Sequence, residues 1–271
     1  MIIIKKFINK LFFNIISILD KIFFFKIYHY QVINFALSKI SIVRHSGIKL
    51  LLATPTKLSK WRAETFSSKE PETLEWIDSF QNNSIFWDIG ANIGLYSVYA
   101  ALKSNCKVFC FEPSFFNLEL LSKNIFLNSV TNKITVCPFA LSDKRINSLL
   151  HLTTTEWSGA LSTFDQEYGF DGKKLNTVFK QSTIGMSADD AKKILGIAQP
   201  DYIKIDVDGI EHLILLGATE ILQKTKEILI EVNDKFTLQS DTCIEILTNS
   251  GFTLSSKKHS EMIENSVTGF N

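Results

Sequence analysis

The chain has 271 residues, of which 45% are hydrophobic and 21% charged, and its net charge is +1. This composition is typical of a globular protein and excludes a largely disordered chain. The near-neutral charge gives no general attraction to nucleic acid. The four cysteines lack the paired spacing of zinc ligands, so they are predicted to be buried free thiols of a cytoplasmic protein.

The first 30 residues are both apolar and basic. They carry five lysines and one aspartate, a local charge of +4, so the rest of the chain carries −3. A narrow polar stripe recurs at helical spacing: Lys10, Asn14, Ser17 and Lys21. We therefore predict an amphipathic helical extension over residues 1–40. Its longest uncharged run, residues 11–19, is too short to span a bilayer.

Two interpretations of this extension follow from its pattern. The helix packs against the protein body or a second subunit, or it lies peripherally on a membrane with its lysines near anionic head groups. The sequence leaves both open.

Strands and helices alternate from residue 85 onward. One or two short strands are predicted within residues 41–66, and the segment 68–72 is predicted to open a helix. The later predicted strands are 85–89, 107–111, 134–140, 202–207, 227–232 and 252–256. The later predicted helices are 95–102, 115–127, 189–195, 210–223 and 242–250.

This alternation predicts an α/β fold with a Rossmann-like, doubly wound, mostly parallel sheet. Such a sheet binds ligands at the carboxyl ends of its strands. Residues 41–271 are predicted to form this domain. Within it, residues 148–188 fit the alternation poorly and are predicted to be a lid or a substrate-binding insertion.

The strand 85–89 runs into the turn Asp88-Ile-Gly-Ala-Asn-Ile-Gly94, and a helix follows. Gly90 allows a sharp turn and Gly94 a close helix start. The spacing differs from the dinucleotide fingerprint, and Asp88 would repel a pyrophosphate but attract an ammonium or a sulfonium. S-adenosylmethionine carries both of these cations, so the turn, including Asn92, is predicted to bind that cofactor.

Two further strand ends extend the predicted cofactor site. Glu112 follows Asp88 by 24 residues and can accept hydrogen bonds from both hydroxyls of a ribose. After the third strand, Ala140 leaves room for a flat adenine ring. Ser142 or Asp143 can accept a hydrogen bond from its amine.

The ordered set of motifs resembles the FkbM family of methyltransferases over roughly residues 45–255. The matching segments are Asp88–Ser97, Phe111-Glu-Pro113 with Asn117 and Asn124, Lys204–Glu211, Leu216-Gly-Ala218 and Ile228–Val232. The resemblance implies S-adenosylmethionine as cofactor and O-methylation of a sugar, glycan or small natural product. The family pattern has Glu where this chain has Asp208, which keeps the charge but shortens its reach.

The fourth strand is predicted to supply the catalytic cluster: Lys204, Asp206, Asp208, Glu211 and His212. Strand alternation puts the first three on one side if the strand continues. Asp206 or His212 is a candidate general base, or the cluster only orients the acceptor. Alternatively, Asp206 holds a magnesium ion together with Glu231 or Asp234.

Two other classes of function are compatible with such a fold. One is a nicotinamide-dependent oxidoreductase, which the glycine spacing and Asp88 disfavour. The other is a non-catalytic nucleoside-binding module. A nucleic-acid substrate is not expected, because no Asn/Asp-Pro-Pro-Tyr-like motif and no basic stripe is present.

Overall fold

The computed structural model describes residues 2–22 and 27–258. The strands are β1 (Ile40–His45), β2 (Ile48–Ala53), β3 (Ile85–Ile89), β4 (Lys107–Phe111), β5 (Ile134–Cys137), β6 (Ala140–Leu141), β7 (Ile146–Leu152), β8 (Thr163–Phe164), β9 (Phe179–Met186), β10 (Tyr202–Ile205) and β11 (Glu227–Ile230). The helices are α1 (Ile2–Ile22), α2 (Ile27–Leu37), α3 (Lys57–Glu64), α4 (Phe66–Lys69), α5 (Pro71–Asp78), α6 (Leu95–Lys103), α7 (Phe115–Leu127), α8 (Ala188–Leu195), α9 (Glu211–Leu216), α10 (Thr219–Leu222) and α11 (Thr237–Asn249).

The central sheet is parallel, with the strand order β11-β10-β3-β4-β5. Its strands alternate between two hydrophobic cores. Trp87 and Phe111 lie in one core, whereas Phe86 and Cys110 lie in the other. Both faces of the sheet are therefore covered, as the apolar strand sequences require. The predicted Rossmann-like, doubly wound α/β fold is confirmed.

A second sheet, with the order β6-β9-β7-β8, is built largely from the segment predicted to be an insertion. Its pairings are mostly antiparallel. Leu150, Phe164 and Met186 from this sheet share one core with Trp87 of the central sheet. The insertion therefore packs onto the body through apolar side chains.

Three predicted boundaries are wrong, two of them for identifiable physical reasons. The strand predicted over 134–140 ends at Cys137, because Pro138 has no N–H to donate to the ladder, and Ala140 pairs with β9 instead. The helix predicted over 210–223 is divided at Gly217, whose backbone packs against Ser142 O. The last helix starts at Thr237, five residues earlier than predicted.

The predicted final strand at 252–256 is also wrong. Phe252 donates its N–H to Leu247 O and so closes a turn after α11. Leu254 is 81% exposed. This segment therefore has neither the ladder nor the burial of a strand.

The N-terminal region consists of α1 packed on α2, followed by the β1–β2 hairpin. Within residues 2–22 and 27–258, no helix has both the length and the apolarity needed to cross a bilayer. The four cysteines are free and buried, as predicted.

Candidate functional site

The strand order of the central sheet changes direction between β3 and β10, because the chain adds β4 and β5 on one side of β3 and later returns to add β10 and β11 on the other. Ligands of doubly wound sheets bind in the crevice outside the carboxyl ends of the strands at such a point. An open cleft of about 470 Å³ lies here. It is lined by Arg62, Thr65, Phe66, Lys69, Glu70, Gly90, Ala91, Asn92, Ile93, Leu95, Tyr96, Lys204 and Asp206.

The glycine turn after β3 is fixed by both neighbouring strands. Gly90 and Ala91 donate their N–H groups to Phe111 O, at 3.0 and 3.1 Å. Gly90 has φ +85°, and a Cβ atom there would lie 1.8 Å from Asp206 O. At Gly94, with φ +77°, a Cβ atom would lie 2.3 Å from Leu121 Cδ1. These two positions therefore require glycine for space as well as for conformation.

Asp88 lies buried behind this turn and does not line the cleft. Its Oδ2 accepts a hydrogen bond from Ser97 Oγ at 2.5 Å, whereas its Oδ1 has no partner. Burial raises the pKa of Asp88, although the charge of Lys204 opposes the shift. The predicted attraction of a cofactor cation by Asp88 stays a prediction.

Glu112 connects the turns after β3 and β4. Its Oε2 accepts from Asn92 N at 2.8 Å and its Oε1 accepts from Ser114 N at 2.7 Å. Burial raises the pKa of Glu112 to about 7 despite these two hydrogen bonds. Each carboxylate oxygen has a second lone pair, so both can still accept a ribose hydroxyl.

Lys204 and Asp206 form an ion pair at the floor of the cleft. Lys204 is 2% exposed, and its Nζ lies 2.6 Å from Asp206 Oδ2. Burial alone would raise the pKa of Asp206, but the Lys204 ammonium lowers it below its ordinary value. Glu231 lies within hydrogen-bond reach of Asp206, whose negative charge raises the pKa of Glu231.

Asp208 does not continue the strand, because β10 ends at Ile205 and Asp208 has φ +62°. Its Oδ2 accepts from Leu161 N at 2.7 Å, and its backbone oxygen accepts from Thr163 Oγ1 at 3.3 Å. Burial and the charge of Asp206 raise the pKa of Asp208 to about 6. Asp208 therefore holds the segment that precedes β8.

Glu211 and His212 lie outside the cleft lining. Glu211 accepts hydrogen bonds from Val207 N at 3.0 Å, from Gly209 N at 3.1 Å and from Gln239 Nε2. Burial raises the pKa of Glu211 to about 7. His212 is buried with Nδ1 unpartnered, its ring lies 6.2 Å from that of Phe236, and burial lowers its pKa. Their contacts are those of groups that hold a loop and fill a core.

Ala140 and Ser142 belong to the second sheet and its continuation. Ala140 is buried in the core, and Ser142 donates its N–H to Met186 O at 2.9 Å. Ser142 Oγ donates to Asp143 Oδ1 at 3.1 Å. Their predicted contacts with adenine stay predictions.

Residues 157–161, here called the strap, cross over the glycine turn. Arg62 Nε donates to Ser158 O at 3.0 Å. Asn92 Nδ2 and Asn117 Nδ2 both donate to Gly159 O, at 2.6 and 3.2 Å. Ser158 Oγ and Asn117 Oδ1 are buried without hydrogen-bond partners. Two polar atoms thus lie unsatisfied where the strap meets the glycine turn.

The wall of the cleft opposite Asp206 was not predicted from the sequence. Glu70 contacts Lys69 Nζ and lies 3.4 Å from Thr73 Oγ1. Tyr96 is within hydrogen-bond reach of Glu70, and Lys204 Nζ lies 5.2 Å from the centroid of its ring. Glycine spacing and strand-end acids gave no indication of this wall. The position of Tyr96, just after the glycine turn, was the available clue.

Of the three residues proposed to bind magnesium, only two lie close to each other. Asp206 and Glu231 lie together, whereas Asp234 pairs with Lys257 Nζ at 2.7 Å. Across the part of the chain that the structure describes, no group of three or more His, Cys, Asp or Glu side chains is arranged to hold a metal ion.

Comparison with known proteins identifies relatives of the chain. Hexuronic acid methyltransferase AglP of Haloferax volcanii is 23% identical over 64% of this chain and 66% of its own length. Methyltransferase sdnD of Sordaria araneosa is 25% identical over 53% of this chain and 64% of its own length. The chain thus spans slightly less than two thirds of these relatives.

Two solved structures are similar at low TM-scores. Methyltransferase FkbM from Methylobacillus flagellatus has a TM-score of 0.43 at 22% identity, covering 62% of this chain and 38% of that one. Precorrin-6y C5,15-methyltransferase from Geobacter metallireducens has a TM-score of 0.40 at 17% identity, covering 68% and 71%. At these scores neither adds to the description of the fold.

The family model for the methyltransferase FkbM domain matches residues 88–262, which include the glycine turn, Glu112 and the Lys204–Asp206 pair. The match covers more than half of the chain, and the chain therefore belongs to the FkbM methyltransferase family.

Proposed function

We propose that this chain is an S-adenosylmethionine-dependent O-methyltransferase whose acceptor is a hydroxyl of a sugar, a glycan or a small natural product. The observation that carries the proposal is the cleft where the Gly90–Gly94 turn meets the ion pair of Lys204 and Asp206. The relative named as a hexuronic acid methyltransferase supports a sugar-like acceptor. Family membership disfavours the nicotinamide-dependent alternative.

The residues present fit the cofactor. The left-handed glycine turn allows close approach of a ligand to the backbone, and Glu112 has spare lone pairs for two ribose hydroxyls. The unpaired Asp88 Oδ1 adds negative potential behind the turn. When bound, S-adenosylmethionine supplies an electrophilic methyl group on a positively charged sulfur. The protein must then orient the acceptor oxygen toward that methyl group.

Asp206 is the side chain best placed to orient the acceptor, because it is the acid of the predicted catalytic cluster that lines the cleft. Its carboxylate accepts a hydrogen bond from the acceptor hydroxyl and receives the proton as the oxygen becomes methylated. Lys204 keeps Asp206 ionised by lowering its pKa. A low pKa makes Asp206 a weak base, so orientation contributes more than proton abstraction.

The opposite wall supplies polar groups for the rest of the acceptor. Arg62, Lys69 and Glu70 face the cleft from the segment before the family-matched region. Together they provide hydrogen-bond donors and an acceptor suited to a polyhydroxylated molecule. On this proposal, residues 41–271 form the methyltransferase domain, residues 1–40 extend it, and residues 148–188 act as a lid through the strap.

The reaction needs no magnesium ion on this proposal. Lys204 Nζ, at 2.6 Å from Asp206, already places a positive charge where a metal bound by Asp206 would lie. A divalent cation would be repelled by this buried ammonium.

Two measurements test the proposal in sequence. Isothermal titration is expected to show binding of S-adenosylmethionine to the wild-type protein and weakened binding to Glu112→Ala. A panel of sugars, uronic acids and phenols is then screened for the formation of S-adenosylhomocysteine. S-adenosylhomocysteine should form with at least one hydroxylated acceptor. EDTA should leave the rate of its formation unchanged.

The outcomes separate the alternatives. Absence of S-adenosylmethionine binding would remove the cofactor assignment. Binding without turnover on any acceptor of the panel would favour the non-catalytic nucleoside-binding module. Loss of turnover in EDTA, restored by magnesium, would support the metal-assisted mechanism.

A further inference from the structure

A large apolar surface is exposed on α1. Six of its side chains are each 48–56% exposed: Ile8, Leu11, Phe12, Phe13, Ile15 and Ile18. Helix α2 adds Tyr30, Ile33 and Phe35, which are 52–63% exposed. Soluble monomers rarely expose contiguous apolar patches of this kind unless the patch binds something. We call these nine side chains the N-terminal apolar surface.

The distribution of polar and apolar residues around α1 indicates whether its apolar surface packs on a protein or lies in an apolar medium. At 3.6 residues per turn, the polar stripe Lys10, Asn14, Ser17 and Lys21 falls within an arc of about 60°. By the same count Lys5, Lys6, Asn9 and Asp20 follow on one side of this stripe, so the uninterrupted apolar arc covers about half of the circumference. Among the side chains of α1 that the structure describes, Ile16 is the one buried below 10%. A helix that packs on a protein core needs an apolar stripe of about 100°. The wider, exposed apolar arc of α1 fits a helix that lies half-immersed in an apolar medium.

The charge distribution points to the chemistry of that medium. The first 30 residues carry +4 and the rest of the chain −3. An anionic surface therefore attracts the N-terminal end more strongly than the rest of the chain, which orients the molecule as well as binding it. The lysines of the polar stripe can reach anionic head groups while their stems lie along the apolar surface.

We propose that α1 and α2 bind the surface of an anionic lipid bilayer, with α1 lying in the interface and its apolar arc among the acyl chains. The helix does not span the bilayer, in keeping with its interruption by charged residues. The catalytic cleft is then held beside the membrane. This inference is independent of the proposed methyl transfer.

Vesicle co-sedimentation of the full-length protein tests the proposal. Phosphatidylcholine vesicles with and without phosphatidylglycerol are compared with a sample that lacks lipid. Ile15→Glu places a charge in the apolar arc, and Asn14→Glu makes the same change of net charge in the polar stripe. Both residues are exposed, so neither substitution disturbs a packed core.

The wild-type protein should pellet with anionic vesicles, and less so with neutral vesicles or at high salt. Ile15→Glu should weaken partitioning into the vesicles by about tenfold or more, because it replaces an apolar side chain that enters the bilayer with a charged one. Asn14→Glu should weaken it by no more than about threefold. Leu11→Glu provides an independent repeat, and circular dichroism checks that all the variants are equally helical.

Three outcomes would overturn the proposal. The first is that the wild type pellets no more with anionic vesicles than without lipid. The second is an equal loss of binding in Ile15→Glu and Asn14→Glu, which would indicate charge attraction without insertion. The third is a wild-type dimer in light scattering that Ile15→Glu dissociates while vesicle binding is absent. That result would assign the surface to a second copy of the chain.

Discussion

Two acids at strand ends have opposite electrostatic surroundings, although the sequence presents them alike. Asp206 lies 2.6 Å from a buried ammonium, which lowers its pKa. Glu112 has neutral hydrogen-bond donors around it, from two backbone N–H groups and the Asn117 side chain, and burial raises its pKa to about 7. Asp206 therefore stays ionised at neutral pH, whereas the ionisation of Glu112 changes near neutrality.

Replacement of Asp206 separates orientation of the acceptor from binding of the cofactor. Asp206→Asn should lower kcat by about 10²- to 10⁴-fold, because the charged acceptor of the hydroxyl proton is lost. The amide oxygen can still accept from Lys204 Nζ, but the buried ammonium loses its partner charge, so the protein should become less stable. The affinity of the folded protein for S-adenosylmethionine should change little. Rates of S-adenosylhomocysteine release and titration calorimetry measure the two effects. Asp241→Asn, the same change at an exposed position of α11, is the control. Equal rates in both variants would exclude Asp206 from the reaction.

Replacement of Gly90 measures the cost of the close approach between β3 and β10. Gly90→Ala adds a Cβ atom 1.8 Å from Asp206 O, so it should destabilise the protein by more than about 3 kcal/mol. Gly47→Ala has a similar φ, +79°, but its Cβ atom meets nothing within 4 Å. It should lose only about 1 kcal/mol for the left-handed conformation. Urea unfolding provides both values, and similar losses would show that the turn and Asp206 are not tightly packed.

The raised pKa of Asp208 predicts that this residue lowers the free energy of unfolding by an amount that depends on pH. Asp208 has an ordinary pKa of 3.8 and a native pKa of about 6. Between these values the native state holds a proton that the unfolded chain has released, so the free energy of unfolding falls as pH rises. Asp208→Asn lacks this proton, keeps an acceptor for Leu161 N and tolerates the left-handed conformation.

The variant should therefore gain stability relative to wild type as pH rises from about 4 to about 6, by roughly 2 kcal/mol after allowance for solvent screening. Above that window the difference should be constant. Urea unfolding across this pH range measures it. A difference that is independent of pH would mean that Asp208 is not held near Asp206.

At the level of helices and strands, the sequence patterns predicted those features that depend on neighbouring residues in the chain. The β3-turn-α6 unit and Glu112 lie in one short stretch whose glycine and acid positions follow from the turn itself. The end of β10 was not predictable from alternation, because the left-handed Asp208 depends on the distant Leu161. The wall at Arg62 and Glu70 depends on how α3–α5 pack against the sheet. No periodicity in the sequence encodes that packing.

The strap can be tested as one element. Arg62→Ala removes the donor to Ser158 O and one cation from the cleft. Amide hydrogen exchange in a peptide covering the strap should become about tenfold faster, because the segment opens without this hydrogen bond. The affinity for S-adenosylmethionine should fall with it. Lys60→Ala, which removes a pair with Glu64 that is more than 60% exposed at both ends, is the control. Unchanged exchange in Arg62→Ala would show that the contacts from Asn92, Asn117 and Asp208 hold the strap without Arg62.

In the whole molecule, the two sheets share one core. Phe164 of β8, only 2% exposed, belongs to the same cluster as Trp87 and Phe111 of the central sheet. The cleft is therefore supported on both sides: the central sheet places the glycine turn and Asp206, and the second sheet anchors the strap. A change in the packing of either sheet should reach the glycine turn.

This shared core predicts cooperative unfolding. Phe164→Ala should destabilise the protein by about 3–5 kcal/mol, as expected for loss of a buried aromatic ring. Circular dichroism and tryptophan fluorescence should still give one coincident transition, shifted to lower urea. Phe126→Ala, in which the ring is 77% exposed, should shift it little. If the second sheet unfolded by itself, Phe164→Ala would split the transition, and part of the fluorescence change would occur before the loss of helical signal. The strap could then open without loss of the central sheet, and residues 148–188 would act as a separable lid.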